Sequence, residues 1–151
     1  QVVGRGPRQP YIERLIKERG LENLQMLPFQ TDEMFPYSLS AANLGVVTLH
    51  ESVGRGSVPS KAYNLMSFGL PALYIAAPDS ELARYCDKYG HARCFTTNEL
   101  DDAAEFIRAM AADQAKYEHM QRRAESAARD FQRSNADRFV QRYLGLAVES
   151  A

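Results

Sequence analysis

The chain has 151 residues, of which 45% are hydrophobic and 25% charged, an ordinary composition for one globular domain with a sizeable core. Its 18 lysines and arginines are balanced by 19 acidic residues, which argues against a general nucleic-acid-binding protein. Two cysteines are too few for a disulfide framework and lack metal-ligand spacing, so we expect reduced thiols in a cytoplasmic protein.

The first third of the chain predicts two short strands, each followed by a helix. The first strand ends at Val3. The next helix presents one apolar face, formed by Tyr11, Ile12, Leu15 and Ile16. The segment NLQML predicts a second strand, which Pro28 closes. A helix from about Asp32 to Ala42 follows, and Pro36 must lie in its first turn or kink it.

The middle third predicts three more strands with helices between them. LGVVTL, residues 44–49, is a near-continuous apolar run typical of a buried parallel strand. A loop of residues 50–59 leads into a helix that starts near Ser60, which we expect to be its cap, and stops at Gly69. PALYIA predicts the next strand, a helix capped by Asp79 or Ser80 ends at Gly90, and ARCF predicts the last strand.

From Asn98 onward the chain reads as helical, in about three pieces broken near Ala111 and Ser134. Alternating strands and helices predict an α/β fold, with a doubly wound, Rossmann-like parallel sheet of about five strands and a helical tail over residues 112–151. We expect residues 1–151 to form one domain, truncated at its N-terminus because no initiator Met precedes the first strand. No apolar run approaches the roughly 20 residues that span a bilayer.

Ligands of open parallel sheets bind beyond the carboxyl ends of the strands, so the loops at those ends are the informative ones. The Gly-Arg-Gly at residues 4–6 lacks the third glycine of a dinucleotide fingerprint, and no Gly-Lys-Ser/Thr follows the Gly-Arg-Gly-Ser at residues 54–57. The favoured interpretation of each segment is a turn that needs positive φ. Arg5 could point at phosphate or be a solvated turn arginine.

The helix start at Ser60 is a stronger signal than either glycine-rich loop, because several features that favour an anion coincide there. Unpaired N–H groups and the positive end of the helix dipole favour an anion there. Lys61 in that turn opposes the dipole unless an anion lies between them, and Asn64 shares its face. The alternative is a solvated helix start. The apolar residues of this helix are predicted to pack in the core: Tyr63, Leu65, Met66 and Phe68.

Two segments carry a resemblance to a known family. SVPSKAYNLMSFGLPALYI, followed by DSELARYCDKYGHARCF, resembles the donor-binding half of a GT-B glycosyltransferase, in the large retaining family whose bacterial members build cell-surface polysaccharides. The likeness runs from Val2 to about Phe95. It implies a two-domain enzyme of hexosyltransferase type, whose C-terminal domain, the part present here, holds the nucleotide sugar.

The resemblance also assigns residues to the donor. Lys61 and the backbone after Gly56 correspond to the diphosphate site, and Asn64 to the glutamate that binds ribose hydroxyls. Gly56 occupies the place of the family's first glutamate, whose role is absent or shifted to Glu51. Leu27 to Phe29 correspond to the nucleobase loop, and Ser80 and Glu81 to a helix start near the sugar. The donor-binding candidates are Arg5, Leu27, Phe29, Gly56, Ser57, Ser60, Lys61, Asn64, Ser80 and Glu81.

No catalytic residue is assigned firmly. His50 and Glu51, at the end of the central strand, are weak candidates, and a histidine satisfied within its loop is the alternative for His50. His91 and His119 show no partner spacing and receive no role. The resemblance implies a nucleoside-diphosphate sugar as substrate, with no cofactor and no metal.

The resemblance further implies that an N-terminal acceptor domain, and the first strand and helix of the donor domain, are missing. We therefore expect the chain to bind nucleotide sugar weakly and to transfer nothing by itself. Its expected location is the cytoplasm, with peripheral association of the full-length enzyme at the inner face of the membrane left open. An apolar face formed by Phe131, Phe139 and Tyr143 would be exposed and would favour dimers.

Two rival interpretations remain at this point. A GT-B epimerase also binds nucleotide sugars, but we cannot match the glutamate and histidines expected in its cleft. A non-catalytic α/β module of receiver or flavodoxin type is the other alternative. A receiver requires acidic residues at the strand ends, whereas the loops here contain Gly-Arg-Gly, His-Glu and Ala-Pro-Asp.

Overall fold

In the computed structural model of the protein, residues 1–50, 52–53 and 56–145 are described. Contacts divide the chain into two compact units, Gln1–Ala41 and Ala42–Ala151. Both units contain parallel strands connected by helices, which confirms the α/β class.

The first unit contains two strands and two helices. Strands β1 (Val2–Val3) and β2 (Met26–Leu27) pair in parallel, and helix α1 (Gln9–Arg19) connects them. Helix α2 (Phe35–Ser40) begins three residues later than expected, because Pro36 fits only the first turn of a helix. None of its 41 residues, all of which the structure describes, is buried.

The second unit is built on a three-stranded parallel sheet. Strands β3 (Gly45–Thr48), β4 (Ala72–Ile75) and β5 (Ala92–Phe95) lie side by side in chain order. All five predicted strands therefore exist, but the expectation of one five-stranded sheet is wrong, because they form sheets of two and three strands. A sequence pattern identifies strands, whereas the pairing of their edges is not encoded in any local pattern.

Helices connect and cover this sheet. Helix α3 (Ser60–Ser67) joins β3 to β4, and α4 (Glu81–Tyr89) joins β4 to β5. Helices α5 (Leu100–Ala112), α6 (Gln114–Ala128) and α7 (Ser134–Tyr143) follow, with a 3-10 turn at Arg129–Phe131. The first break lies at Asp113, whose extended backbone ends α5 and whose carboxylate caps α6 by accepting the Lys116 N–H at 2.9 Å.

Successive side chains of a strand point to opposite faces of the sheet, and both faces of the central strand β4 are buried. Strand β3 is buried on one face only, because Val47 is buried and Val46 is 56% exposed, so the expectation of a buried strand holds for one of its faces.

Leu73 of β4 belongs to a cluster formed with β5, α5 and α6, whose buried members are Leu73, Phe95, Ala103, Phe106, Met110 and Met120. The neighbouring Tyr74 is also fully buried. A second cluster joins Met66 of α3 to Tyr89 and Ala127. The two clusters thus pack helices against the parallel sheet, as in α/β folds.

His91, which received no role from the sequence, is a fully buried core residue. Its Nε2 lies 2.8 Å from the hydroxyl of Tyr74. Its Nδ1 has no hydrogen-bond partner among the described residues. Burial, and secondarily the charge of Arg123, lowers the pKa of His91 to about 4, so the imidazole is neutral at pH 7.

An aromatic cluster connects α3 and α4 to the chain after α6. The ring of Phe131 lies 4.8 Å from that of Tyr63 and 5.5 Å from that of Tyr85. The hydroxyl of Tyr89 donates to Asp130 at 3.0 Å. The expectation that Phe131 is part of an exposed face is therefore wrong, because this residue turns inward. Phe68, expected in the core, is instead 39% exposed at the end of α3.

Helix α7 contains no buried residue. Four large apolar residues on or just after it are more than half exposed: Phe139, Val140, Tyr143 and Leu144. The expected apolar surface is therefore present for Phe139 and Tyr143.

We predict that acid destabilises the fold through His91. Above pH 6.5, the usual pKa of histidine, the imidazole is mostly neutral in the folded and in the unfolded state. Between pH 6.5 and the folded-state pKa of about 4, mainly the unfolded state takes up the proton. The free energy of unfolding should fall by about 2 kcal/mol between pH 7 and pH 5 because of this residue. Urea unfolding of the wild type, His91→Gln and the exposed control His119→Gln at several pH values measures it. If the free energy of unfolding fell equally with pH in all three proteins, the prediction would be contradicted.

We also predict that Gly45→Ala destabilises the second unit. A Cβ at Gly45 would overlap the side chain of Leu65, which is buried between β3 and α3. Overpacking of this kind costs about 1–3 kcal/mol. Gly6→Ala is the matched control, because a Cβ there meets no described atom within 4 Å. Thermal unfolding should show a lower Tm for Gly45→Ala alone, and an unchanged Tm would refute the close packing.

Candidate functional site

Because β3, β4 and β5 are parallel, their carboxyl ends lie at one edge of the second unit. The chain leaves β3 toward α3, β4 toward α4 and β5 toward α5. Each connection therefore brings the N-terminus of a helix near this edge, the usual place for ligands in open α/β sheets. The three helix starts differ in how their first N–H groups are satisfied.

Among the residues that the structure describes, none caps the start of α3 with its side chain. Pro59 occupies the N-cap position, so the expectation that Ser60 caps the helix is wrong and Ser60 is the first helical residue. Proline has no polar side-chain atom with which to bond the first turn. The carbonyl of Pro59 accepts the N–H of Ala62 at 2.9 Å, whereas the amides of Ser60 and Lys61 have no intrahelical acceptor.

Four further donor candidates lie on or before α3. Lys61 is exposed, and no carboxylate lies within ion-pair distance of it among the described residues. Asn64, one turn later, is half-buried. Gly56 has φ +95°, a conformation that L residues rarely adopt, and Ser57 next to it is exposed. The helix start is thus reached through a backbone bend that suits glycine.

The start of α4 is capped by the protein itself. Ser80 is 2% exposed, and its hydroxyl accepts the N–H of Ala83 at 3.2 Å, as expected for a capping serine. Its own N–H donates to the carbonyl of Ala77 at 3.0 Å. The carboxylate of Glu81 accepts from Arg84 at 2.8 Å. The side chains of Ser80 and Glu81 are therefore both engaged within the protein.

The loop before α5 is also satisfied internally. The carboxylate of Glu99 accepts two hydrogen bonds from Thr96. One comes from the backbone N–H of Thr96 at 2.7 Å and the other from the hydroxyl of Thr96 at 2.9 Å. These bonds hold the pKa of Glu99 below its usual value. The sequence analysis missed this pair, although a threonine followed three residues later by a glutamate is a capping-box signal.

His50 follows β3 and makes contacts within its own loop. Its Nδ1 accepts the backbone N–H of Ser52 at 3.2 Å and lies 2.8 Å from the hydroxyl of that serine. The alternative of a histidine satisfied within the loop is thus correct for Nδ1. Glu51, the other catalytic candidate, lies outside the described residues, as do Gly54 and Arg55.

The remaining candidates belong to the first unit. The guanidinium of Arg5 lies 5.8 Å from the centre of the Phe29 ring, a cation–π contact that the sequence did not reveal. Phe29 is 68% exposed, and Leu27 is half-buried in β2 opposite Val3. The structure thus brings Arg5 and Phe29 together at the ends of β1 and β2.

Within the part of the chain that the structure describes, no group of three or more His, Cys, Asp or Glu side chains could hold a metal ion. Over the same residues, every helix is too short or too polar to cross a membrane. Cys86 and Cys94 are both free, and burial raises the pKa of the Cys86 thiol to about 12.

Comparison of the sequence with known proteins shows the family of the chain. The chain is similar to the Escherichia coli (strain K12) protein named "Putative colanic acid biosynthesis glycosyl transferase WcaI", with 27% identity over 108 residues. That alignment covers 71% of this chain and 26% of WcaI, so the chain spans about a quarter of the relative's length. The family model "Glycosyl transferases group 1" matches residues 1–127. The chain therefore belongs to the group 1 glycosyl transferases.

Proposed function

We propose that this chain is the nucleotide-sugar-binding domain of a retaining GT-B glycosyltransferase, which moves a hexose from a nucleoside-diphosphate sugar to a glycan or lipid-linked acceptor. Family membership supports sugar transfer. The observation that carries donor binding is the uncapped start of α3, beside Lys61, at the carboxyl edge of a parallel sheet. Of the other two helix starts at that edge, α4 is capped by Ser80. Among the described residues, the start of α5 also lacks a side-chain cap, but its first turn carries Asp101 and Asp102, which disfavour an anion there.

The donor diphosphate is the anion that suits this helix start. The amides of Ser60 and Lys61 can donate to phosphate oxygens, and the Lys61 ammonium adds a charge-assisted bond. The bend at Gly56 and Ser57 lets the backbone come close to the phosphates. Asn64, on the next turn, can bond a ribose hydroxyl through its amide.

The same contacts assist the chemical step. Transfer breaks the bond between the anomeric carbon of the sugar and a β-phosphate oxygen, and negative charge develops on the departing diphosphate. Amides and an ammonium already aimed at that oxygen stabilise this charge without reorganisation. His50 and Glu51 are the candidates for contact with the reacting sugar.

The remaining assignments follow the family resemblance. Ser80 fixes where α4 begins, so that its first turn and Glu81 come near the sugar and the β-phosphate. Leu27 and Phe29 are assigned to the nucleobase and Arg5 to phosphate, and these are separate proposals that concern the first unit alone.

The acceptor is held by residues outside this chain, since the relative WcaI is about four times as long as the aligned segment. The name of WcaI refers to colanic acid biosynthesis, and the family resemblance implies a cell-surface polysaccharide as the product class. The reaction needs no cofactor or metal and uses nucleotide sugars of the cytoplasm, at the inner face of the membrane for a lipid-linked acceptor. The family match favours this function over an epimerase or a non-catalytic α/β module.

We predict that Lys61→Ala lowers the affinity for UDP or GDP, whichever the wild type prefers, by roughly 10-fold, because a hydrogen bond to a charged group is lost. Isothermal titration calorimetry measures this change. Lys17→Ala, at the exposed end of α1, removes the same charge and serves as the control. An unchanged affinity for Lys61→Ala, or an equal loss for Lys17→Ala, would remove Lys61 from the site.

We also predict that the 151-residue chain binds a nucleotide sugar without transferring the sugar. The chain corresponds to about a quarter of WcaI, and transfer requires donor and acceptor to be held in register. Release of nucleoside diphosphate from UDP-glucose or GDP-mannose, with and without added glycan acceptors, measures turnover. Release that exceeds the rate of a heat-denatured sample and depends on an added acceptor would contradict the prediction.

A further inference from the structure

Strand β5 lies at one edge of the three-stranded sheet, because β4 is its only partner among the described strands. The carbonyl groups of His91 and Phe95 accept hydrogen bonds from β4 at 3.1 and 2.9 Å. Backbone groups alternate between the two sides of a strand, so the N–H and C=O groups of Ala92 and Cys94 point away from β4. The free edge therefore offers two donors and two acceptors to a further strand.

An open groove runs along this free edge. It has a volume of about 1430 Å³ and is lined by all four residues of β5 together with residues of α4, of α5 and of the start of α6. Neighbouring strands of a sheet lie about 4.8 Å apart, so a further strand would lie in this groove. An unpaired edge of this kind is a template for pairing with another chain.

The exposed charged side chains of the groove are balanced in sign. Three carboxylates and three cationic groups line it, and none of the six forms an ion pair within the described residues. They are Asp87, Asp102 and Glu105, and Arg93, Arg108 and Lys116. A fourth carboxylate, that of Glu99, already accepts hydrogen bonds from Thr96. A partner of one charge sign, such as a nucleic acid or an anionic membrane, would meet as much repulsion as attraction here.

We propose that this groove is a dimer interface, in which β5 pairs antiparallel with β5 of a second copy of the chain around a two-fold axis at Arg93. Ala92 of each copy exchanges both backbone hydrogen bonds with Cys94 of the other, and the two sheets become one of six strands. A two-fold axis brings the same surface of both copies together, so a surface with balanced charges can be complementary to itself. This interface does not depend on nucleotide binding.

The charge of Arg93 must be compensated in this dimer, because the axis places it opposite its own copy. Like charges directly opposite each other on paired strands are destabilising. Arg93 points to the same face of the sheet as Phe95, whose ring lies 5.9 Å from that of Phe106 on α5. Asp102 and Glu105 of that helix also line the groove. The two copies thus bring four carboxylates to two guanidinium groups.

Sedimentation equilibrium of the 151-residue chain over a range of concentrations measures the association, and we expect a monomer–dimer equilibrium. Cys94→Pro removes an N–H that points away from β4, so the fold is kept while the dimer loses two hydrogen bonds, one from each copy. The dissociation constant of the dimer should rise by about 10-fold or more. Val46→Pro is the matched control, since the N–H of Val46 points away from β4 at the opposite edge of the sheet, and its dimer should be unchanged.

A charge exchange tests the same pairing without proline. Arg93→Glu should weaken the dimer at least as much as Cys94→Pro, because it puts two more carboxylates beside Asp102 and Glu105. Combining Arg93→Glu with Glu105→Arg brings opposite charges together again and should restore most of the association. A variant that had merely lost its fold would not regain the dimer in this way.

Amide ¹H–¹⁵N spectra recorded at increasing protein concentration locate the interface. The amides of Ala92 and Cys94 should shift, whereas those of Phe139 and Tyr143 on the exposed face of α7 should not. A chain that stays monomeric, a dimer that Cys94→Pro and Arg93→Glu leave intact, or concentration-dependent shifts confined to α7 would overturn the proposal. If Cys94→Pro does not fold, the charge exchange and the spectra decide the question.

Discussion

Parallel hydrogen bonding among β3, β4 and β5 is the constraint on which the second unit depends. The register pairs Gly45 with Ala72 and Ala72 with Ala92, so the three strands run side by side and end together. A parallel strand cannot be reached by a tight turn, and each connection must therefore return as a helix. The same requirement gathers three helix starts and their loops at one edge, where the site is proposed.

Those three starts are chemically unequal. A serine hydroxyl caps α4, whereas neither α3 nor α5 has a side-chain cap among the described residues. The first turn of α5 carries Asp101 and Asp102, and that of α3 carries Lys61 and no acidic residue. An uncapped first turn that also carries Lys61 is disfavoured by a few tenths of a kcal/mol or more when nothing binds there. A bound diphosphate would offset both penalties. Local instability of this kind is common where a ligand supplies the missing partner.

Much of the architecture could be predicted from the sequence, because apolar periodicity and Gly or Pro punctuation are local signals. They identified five strands and the helices between them, and they predicted Asp79 or Ser80 as the cap of α4, of which Ser80 is the cap. The division into two sheets could not be predicted, since pairing depends on which strand edges meet. The inward turn of Phe131 depends on tertiary contacts with Tyr63 and Tyr85 that no spacing encodes. The ring orientation of His50 depends on the conformation of its own loop, which brings Ser52 to its Nδ1. For the site, the sequence placed Lys61 at a helix start but assigned the cap wrongly to Ser60.

The most direct test of the account is to observe the first turn of α3 while a nucleotide binds. Amide ¹H–¹⁵N correlation spectra of the labelled chain, recorded during titration with UDP and GDP, report on each backbone N–H. The account predicts saturable shifts for the amides of Ser60 and Lys61, with much smaller changes at Ala83 and Thr96, whose N–H groups already have partners. Binding that leaves Ser60 and Lys61 unmoved would contradict it.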